Sequence, residues 1–70
     1  MNTEEKALYN LLSPAQKADF LEEQRDWLVS NTNLDPFDVE IMSDEELYRQ
    51  IDSEFNSGFK GFVNNYISQL

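Results

Sequence analysis

The chain of seventy residues carries 14 acidic and 5 basic side chains and a net charge of −9, which argues against direct binding to nucleic acid or anionic lipid, because both need a basic face. It contains neither cysteine nor histidine, so disulfides are excluded and the two commonest zinc ligands are absent. A single domain of this length is near the lower limit for independent folding, and we expect it to depend on dense helix packing or on self-association.

Capping residues define the starts of the first two predicted helices. Asn2 or Thr3 can cap the first helix, because a short polar side chain accepts a hydrogen bond from a free amide of the first turn. Ser13 is a preferred N-cap, Pro14 suits the first helical position, and Gln16 completes a capping box. The apolar residues of the first helix follow the helical period and are Ala7, Leu8, Leu11 and Leu12.

The second helix is predicted to run from Pro14 to about Val29, where the polar turn 31–33 ends it. Its apolar stripe is expected to comprise Phe20, Leu21, Trp27 and Leu28, with Ala18 alongside.

A short third helix is predicted from Pro36 to about Met42, because Asp35 and Pro36 repeat the combination of a cap and a proline. Within it, Phe37, Ile41 and Met42 are expected to face inward. A longer helix follows a second predicted capping box, in which Ser43 reaches the amide of Glu46 and Glu46 reaches back. The apolar positions of this helix are Leu47, Ile51 and Phe55.

The dipeptide Ser57-Gly58 leaves the end of the chain open to two interpretations. One helix could continue through it, or a final helix could run from Phe59 to about Ser68. A glycine inside a helix costs about 1 kcal/mol, which favours a break or bend. The whole pattern predicts an all-α bundle of four to five short helices in a single domain, 1–70.

The last segment has an apolar stripe with two interpretations. We expect it to close the core, and the alternative is an exposed stripe that docks on a partner or on a second copy. The stripe consists of Phe59, Phe62, Val63, Tyr66, Ile67 and Leu70.

Catalysis has little support in the sequence. Without histidine or cysteine, acid–base work would fall on carboxylates such as Glu22 and Asp26, whose spacing of one turn is typical of a solvated helix face. We therefore expect no enzyme activity, no cofactor and no bound metal. The chain has no apolar run that approaches the roughly 20 residues of a membrane span and no signal-peptide pattern, which predicts a cytoplasmic protein without membrane contact.

The acidic residues are unevenly placed along the chain. Residues 35–54 contain eight acids and one base, Arg49, which gives a net charge of −7. In residues 55–70 the only charged side chain is Lys60. Acids three or four residues apart on a helix stand about 5–6 Å apart, so rows of them can imitate the phosphates of a nucleic acid. The predicted partner-binding residues are Glu22, Glu23, Asp26, Asp38, Glu40, Asp44, Glu45, Tyr48 and Asp52.

A structural role competes with this interpretation for each single acid. Acids in first helical turns stabilise the helix dipole and need no partner. That role applies to Glu4, Glu5, Asp38, Asp44, Glu45 and Glu46. It does not account for the scarcity of bases, because excess like charge destabilises a compact chain.

In size, charge and helicity the chain resembles the small acidic proteins of bacteriophages and mobile elements that inhibit host enzymes acting on nucleic acid. This class resemblance covers no aligned residues. It implies an inhibitor that occupies the basic nucleic-acid channel of a host protein such as a CRISPR effector, a restriction enzyme or a polymerase. The alternative hypothesis is a structural or adaptor module that forms a homodimer through its apolar C-terminal helix.

Overall fold

Five helices and no strands make up the chain, as the all-α prediction requires. The computed structural model describes every residue from Met1 to Leu70. The helices are α1 (Thr3–Tyr9), α2 (Pro14–Asn31), α3 (Pro36–Glu40), α4 (Asp44–Glu54) and α5 (Gly58–Ser68). Helix α5 packs against α1 and α4, while α2 packs against α3 and α4. None of the helices combines the length and the apolar character that crossing a membrane requires.

The predicted caps of the first two helices are confirmed. The Asn2 side chain accepts a hydrogen bond from the Glu5 amide at 2.8 Å, and the Glu5 carboxylate accepts one from the Asn2 amide at 2.8 Å. Ser13 and Gln16 exchange the same pair of bonds at 3.2 and 2.8 Å. Both boxes satisfy amides that the first helical turn would otherwise leave unpaired.

The cap of α4 is confirmed only in part. The Ser43 hydroxyl accepts a hydrogen bond from the Glu46 amide at 3.2 Å, as predicted. The Glu46 carboxylate, however, accepts a bond from the Ser43 hydroxyl at 3.3 Å and does not reach the Ser43 amide. The box at this position therefore lacks its reciprocal half.

The predicted break near Ser57-Gly58 is confirmed, and α5 begins at Gly58. Phe55 leaves the helical conformation with a ψ of 133°, and Gly58 has a φ of 71°. Glycine adopts this left-handed conformation without the steric penalty that a Cβ atom imposes. The chain therefore turns between α4 and α5, and the two helices pack against each other.

The core gathers around Phe20 of α2. Its ring lies 5.8, 5.7 and 5.0 Å from the rings of Phe59, Phe62 and Tyr66, between ring centroids. The buried apolar side chains are Leu12, Phe20, Leu28, Val39, Leu47, Ile51, Phe59, Phe62, Val63 and Tyr66. The expectation that the C-terminal stripe closes the core is thus confirmed for its first four members.

The end of the same stripe leaves the core. Ile67 is half-buried, and Leu70 is 63% exposed. The apolar side chains on which the homodimer hypothesis depends lie mostly inside the single chain, and the homodimer stays a prediction.

The orientation predicted for α3 is wrong. The sequence pattern predicts that Phe37 and Ile41 face inward, but 69% and 65% of their surfaces are exposed, while Val39 is only 1% exposed. Met42 is half-buried against the core, in agreement with the expectation. The helix also ends at Glu40, two residues earlier than expected.

Smaller corrections concern α1 and α2. Helix α1 ends at Tyr9, so Leu11 falls in the following turn and is 71% exposed. Ala7 and Ala18 are exposed as well, although the sequence pattern places both on apolar stripes. Helix α2 continues to Asn31, and the amide of the next residue, Thr32, donates a hydrogen bond to the Leu28 carbonyl of the helix.

Candidate partner-binding surface

Several carboxylates of the predicted surface are already paired within the chain. Glu22 forms an ion pair with Arg25 at 3.1 Å, and Glu45 forms one with Arg49 at 3.6 Å. Asp52 accepts a hydrogen bond from the Phe59 amide at 2.9 Å. These three predicted site residues have a structural contact in addition to any contact with a partner.

Tyr48 is engaged inside the molecule. Its hydroxyl donates a hydrogen bond to Glu5 at 2.9 Å, and its ring meets that of Phe59 edge-on at 4.8 Å. Burial, followed by the bond to Glu5 and the negative charge of nearby carboxylates, raises the pKa of Tyr48 to about 12. The half-buried side chain thus joins α4 to α1 and α5.

The exposed side of α2 carries a row of acids. Asp19, Glu22, Glu23 and Asp26 follow one another at spacings of three, one and three residues and are all exposed. They lie opposite the buried positions of the helix, Phe20, Gln24 and Leu28. Asp19 was not among the predicted residues, although its position four residues before Glu23 places it on the same face.

Asp19 also fixes α5 to α2. It accepts a hydrogen bond from the Tyr66 hydroxyl at 2.6 Å. This bond is the main reason that the pKa of Tyr66 rises to about 12, with burial and the charges of Asp19 and Glu23 adding to it.

The remaining exposed acids have neither an ion-pair partner nor a side-chain hydrogen bond. They are Glu23, Asp26, Asp38, Glu40, Asp44 and Glu54, and we call them the unpaired acids. All except Glu54 belong to the predicted partner-binding residues. Because nothing within the chain occupies these carboxylates, they are free to meet a cationic group.

The structure places the predicted residues in three locations. Arg25 donates a hydrogen bond to the Met42 carbonyl at 3.4 Å, which sets the middle of α2 and its acids Glu22 and Asp26 beside the junction of α3 and α4. Glu23 lies on the flank of the acid row that is nearer to α5, and it lines a hollow of about 150 Å³ with aromatic side chains of Phe55 and α5.

The third location is the side of α4 that carries Glu45, Tyr48 and Asp52. These residues face α1 and the start of α5, as the contacts of Tyr48 with Glu5 and of Asp52 with Phe59 require. The predicted residues therefore do not form one continuous patch. Five of the six unpaired acids are on α2, α3 and the first turn of α4.

This surface also includes two apolar residues that the sequence pattern predicts in the core. Phe37 of α3 and Ile41, the C-cap residue of that helix, are exposed and stand on either side of Asp38 and Glu40 in the sequence. The chain contains no group of three or more acidic side chains placed to hold a metal ion. What the surface can offer chemically is carboxylate charge next to two exposed apolar groups.

Comparison with known protein families, with curated proteins and with solved structures finds no match to this chain. Its function is therefore inferred from its own residues.

Proposed function

We propose that this protein binds the basic nucleic-acid-binding surface of another protein and inhibits that protein by occupying the surface. The observation that supports the proposal best is the set of unpaired acids on α2, α3 and the first turn of α4, in a chain whose net charge is −9. Asp26, Asp38, Glu40 and Asp44 belong to this set, and all four are exposed.

Stability gives no reason for two of these four charges, whereas Asp38 and Asp44 lie in first helical turns, where the dipole favours an acid. Asp26 lies in the middle of α2, away from the helix start where an acid interacts favourably with the dipole. Glu40 is the last residue of α3, where the dipole makes a negative charge unfavourable. Because like charges also repel one another across the molecule, a chain selected only for stability would balance them with bases.

Binding to a basic surface gives the same charges a use. Carboxylates on neighbouring turns stand about 5–6 Å apart and can contact lysine and arginine side chains that otherwise contact phosphates. The opposite charges of the two proteins steer them together, so association is fast at low ionic strength and slows as salt screens the attraction.

The proposed partner is a host protein that handles nucleic acid, such as a CRISPR effector, a restriction enzyme or a polymerase. The size, acidity and helicity of the chain resemble those of phage-encoded and mobile-element inhibitors, which supports this setting. In it the protein acts in the host cytoplasm, contacts no nucleic acid itself and needs no cofactor.

Capture from a bacterial lysate on the immobilised protein tests the proposal. We expect nucleic-acid-binding proteins at low salt, and we expect high salt or an added DNA duplex to release them, because DNA competes for the same basic surface. Capture that neither salt nor DNA weakens would contradict the mechanism.

Two variants with equal net charge distinguish the contribution of the unpaired acids to binding from that of the total charge. The first neutralises two unpaired acids and is Asp38→Asn, Glu40→Gln. The second neutralises two acids that have ion-pair partners and is Glu4→Gln, Glu45→Gln. We expect the first to lose about tenfold or more in affinity for the captured protein and the second to lose less. Equal losses would mean that only net charge matters.

A further inference from the structure

Phe37 and Ile41 are the largest apolar groups that the middle of the chain leaves in solvent, at 69% and 65% exposure. A chain near the lower size limit of folding has reason to bury such side chains, because each adds to a small core. Helix α3 nevertheless buries the smaller Val39. Phe37 and Ile41 are four residues apart and therefore lie next to each other on the same side of the helix.

The acids of α3 lie on both sides of this pair. At about 100° per residue, Val39 lies about 200° from Phe37, so the apolar pair is on the face opposite the buried one. Asp38 is about 100° from Phe37 in one direction and Glu40 is about 60° from it in the other, which places one acid on each flank.

More carboxylates stand at the two ends of the helix. Asp35 precedes α3 and Asp44 opens α4, while no basic residue occurs between Arg25 and Arg49. The guanidinium of Arg25 does reach the Met42 carbonyl, but the side chain is only 17% exposed and is paired with Glu22. The exposed apolar pair is thus bordered by negative charge.

We propose that Phe37 and Ile41 are the anchor of the interface and insert into an apolar pocket rimmed by lysine or arginine on the partner. This inference rests on the proposed function and specifies the partner's chemistry: cationic groups around an apolar depression. Carboxylates at the border then meet the cations, while the ring of Phe37 fills the pocket. Aromatic groups at the centre of an interface with charged groups around them are the usual source of binding energy.

Charge complementarity decides between a basic partner and a second copy. Two copies that met through α3 would bring Asp35, Asp38, Glu40 and Asp44 of each chain against the same acids of the other. Each chain has a net charge of −9, so the pair would repel as a whole as well. An anionic lipid surface is disfavoured for the same reason.

Two synthetic peptides serve as defined probes of this chemistry. One is an amphipathic helix of lysine and leucine, and the other has the same lysines with glutamine in place of each leucine. Fluorescence anisotropy at low salt gives the dissociation constant of the protein for each peptide. We expect the leucine peptide to bind about tenfold or more tightly than the glutamine peptide.

The variant Phe37→Ser, Ile41→Ser should abolish this preference and leave the affinity for the glutamine peptide unchanged. The matched control is Leu11→Ser, Leu70→Ser, which also removes two exposed apolar side chains, 71% and 63% exposed in the wild type. Since none of the four is buried, circular dichroism should show the same helicity in both variants. The control should keep the preference.

The outcomes separate the anchor from the proposed function. Equal affinity of the wild type for the two peptides, or equal loss in the two variants, would overturn the anchor while leaving charge-driven binding in place. Failure to bind either peptide at low salt would count against both proposals. A dimer seen by light scattering that the Phe37→Ser, Ile41→Ser variant dissolves would identify a second copy as the occupant and overturn the anchor.

Discussion

At the scale of single residues, Asp52 performs the task that a local N-cap performs elsewhere in the chain. Ser57 stands at the N-cap position of α5 but makes no side-chain bond to it. Asp52, from the last turns of α4, accepts the hydrogen bond of the Phe59 amide at 2.9 Å instead. One carboxylate thereby joins α4 to α5 and satisfies an amide that the start of α5 leaves unpaired.

Replacement of Asp52 by alanine should lower the free energy of unfolding by about 1 kcal/mol, the usual cost of removing a capping side chain. Urea denaturation measures the change. Ser53→Ala is the matched control, because Ser53 is exposed on the same turn and has no capping bond. Similar stability losses in the two variants would show that the bond to Phe59 contributes little.

Replacement of Gly58 by alanine should destabilise the protein by about 1–2 kcal/mol, although alanine is the better helix former. Gly58 has a φ of 71°, and an added Cβ would lie 2.9 Å from the Asp52 carboxylate. The double variant Asp52→Ala, Gly58→Ala removes the close contact but keeps the backbone strain. Its loss should therefore be smaller than the sum of the two single losses, and full additivity in urea denaturation would contradict the contact.

The distance in sequence between bonded groups determines which contacts could be predicted. The caps at Asn2 and Ser13 join residues three apart, and a local pattern is enough to identify them. The bonds of Asp52 to Phe59 and of Tyr48 to Glu5 span seven and 43 residues. Such bonds depend on how the helices pack, which the sequence pattern does not specify.

At the scale of the element, α3 shows why helix positions were easier to predict than helix orientation. Asp35 and Pro36 correctly predicted where α3 starts, because capping and proline geometry are local. With only five residues, the helix has one apolar side chain on its inner face, Val39, and the spacing of Phe37 and Ile41 suggested the opposite face. Burial of Val39 against α2 and the core settles the choice.

Two truncations on opposite faces of α3 test this orientation. Val39→Ala should lower stability by about 1–2 kcal/mol, because it removes buried methyl groups and leaves a cavity. Ile41→Ala removes more atoms from a side chain that is 65% exposed, so its effect should stay within about 0.5 kcal/mol. Thermal or urea unfolding that ranks the two the other way would show that the inward face was misassigned.

The contact between α2 and α5 should make stability sensitive to alkaline pH. The pKa of Tyr66 is about 12 in the folded chain, against an ordinary value of 10.0, because its hydroxyl donates to Asp19. The folded state holds this proton more tightly than the unfolded state does. The resulting stabilisation is complete below about pH 10 and is lost as pH rises to about 12.

Tyr66→Phe should reduce this alkaline loss, since it keeps the ring and removes the titrating group. The free energy of unfolding measured at several pH values between 9 and 12 gives the slope for each protein. Tyr48 has a similarly raised pKa, so part of the loss should persist in the variant. An unchanged slope would mean that Tyr66 does not titrate with a raised pKa.

At the scale of the whole molecule, acidity was visible in the sequence but its division into paired and unpaired charge was not. Composition gives the net charge of −9 and the acidic segment 35–54. Whether Glu45 meets Arg49, or Asp19 meets Tyr66, depends on side-chain and helix geometry. The paired acids make contacts that hold the fold together, and the unpaired acids are the ones proposed to contact a partner.

This division predicts that an unpaired acid away from a helix start lowers the stability of the fold. Glu40→Gln should raise the free energy of unfolding by about 0.5 kcal/mol, because it removes a negative charge from the C-terminal end of α3 and from an acidic surface. Glu45→Gln is the control: it removes an acid from the first turn of α4 and its ion pair with Arg49, so it should not stabilise. Urea denaturation at low and high salt measures both, and salt should shrink the gain of Glu40→Gln by screening the repulsion.

If Glu40→Gln stabilises the fold and also weakens binding to the partner, the same carboxylate opposes folding and favours association, which is the trade-off expected of a charge kept for binding. A gain that is the same at both salt concentrations would instead assign the effect to local helix propensity and remove the electrostatic reason for a partner at this position.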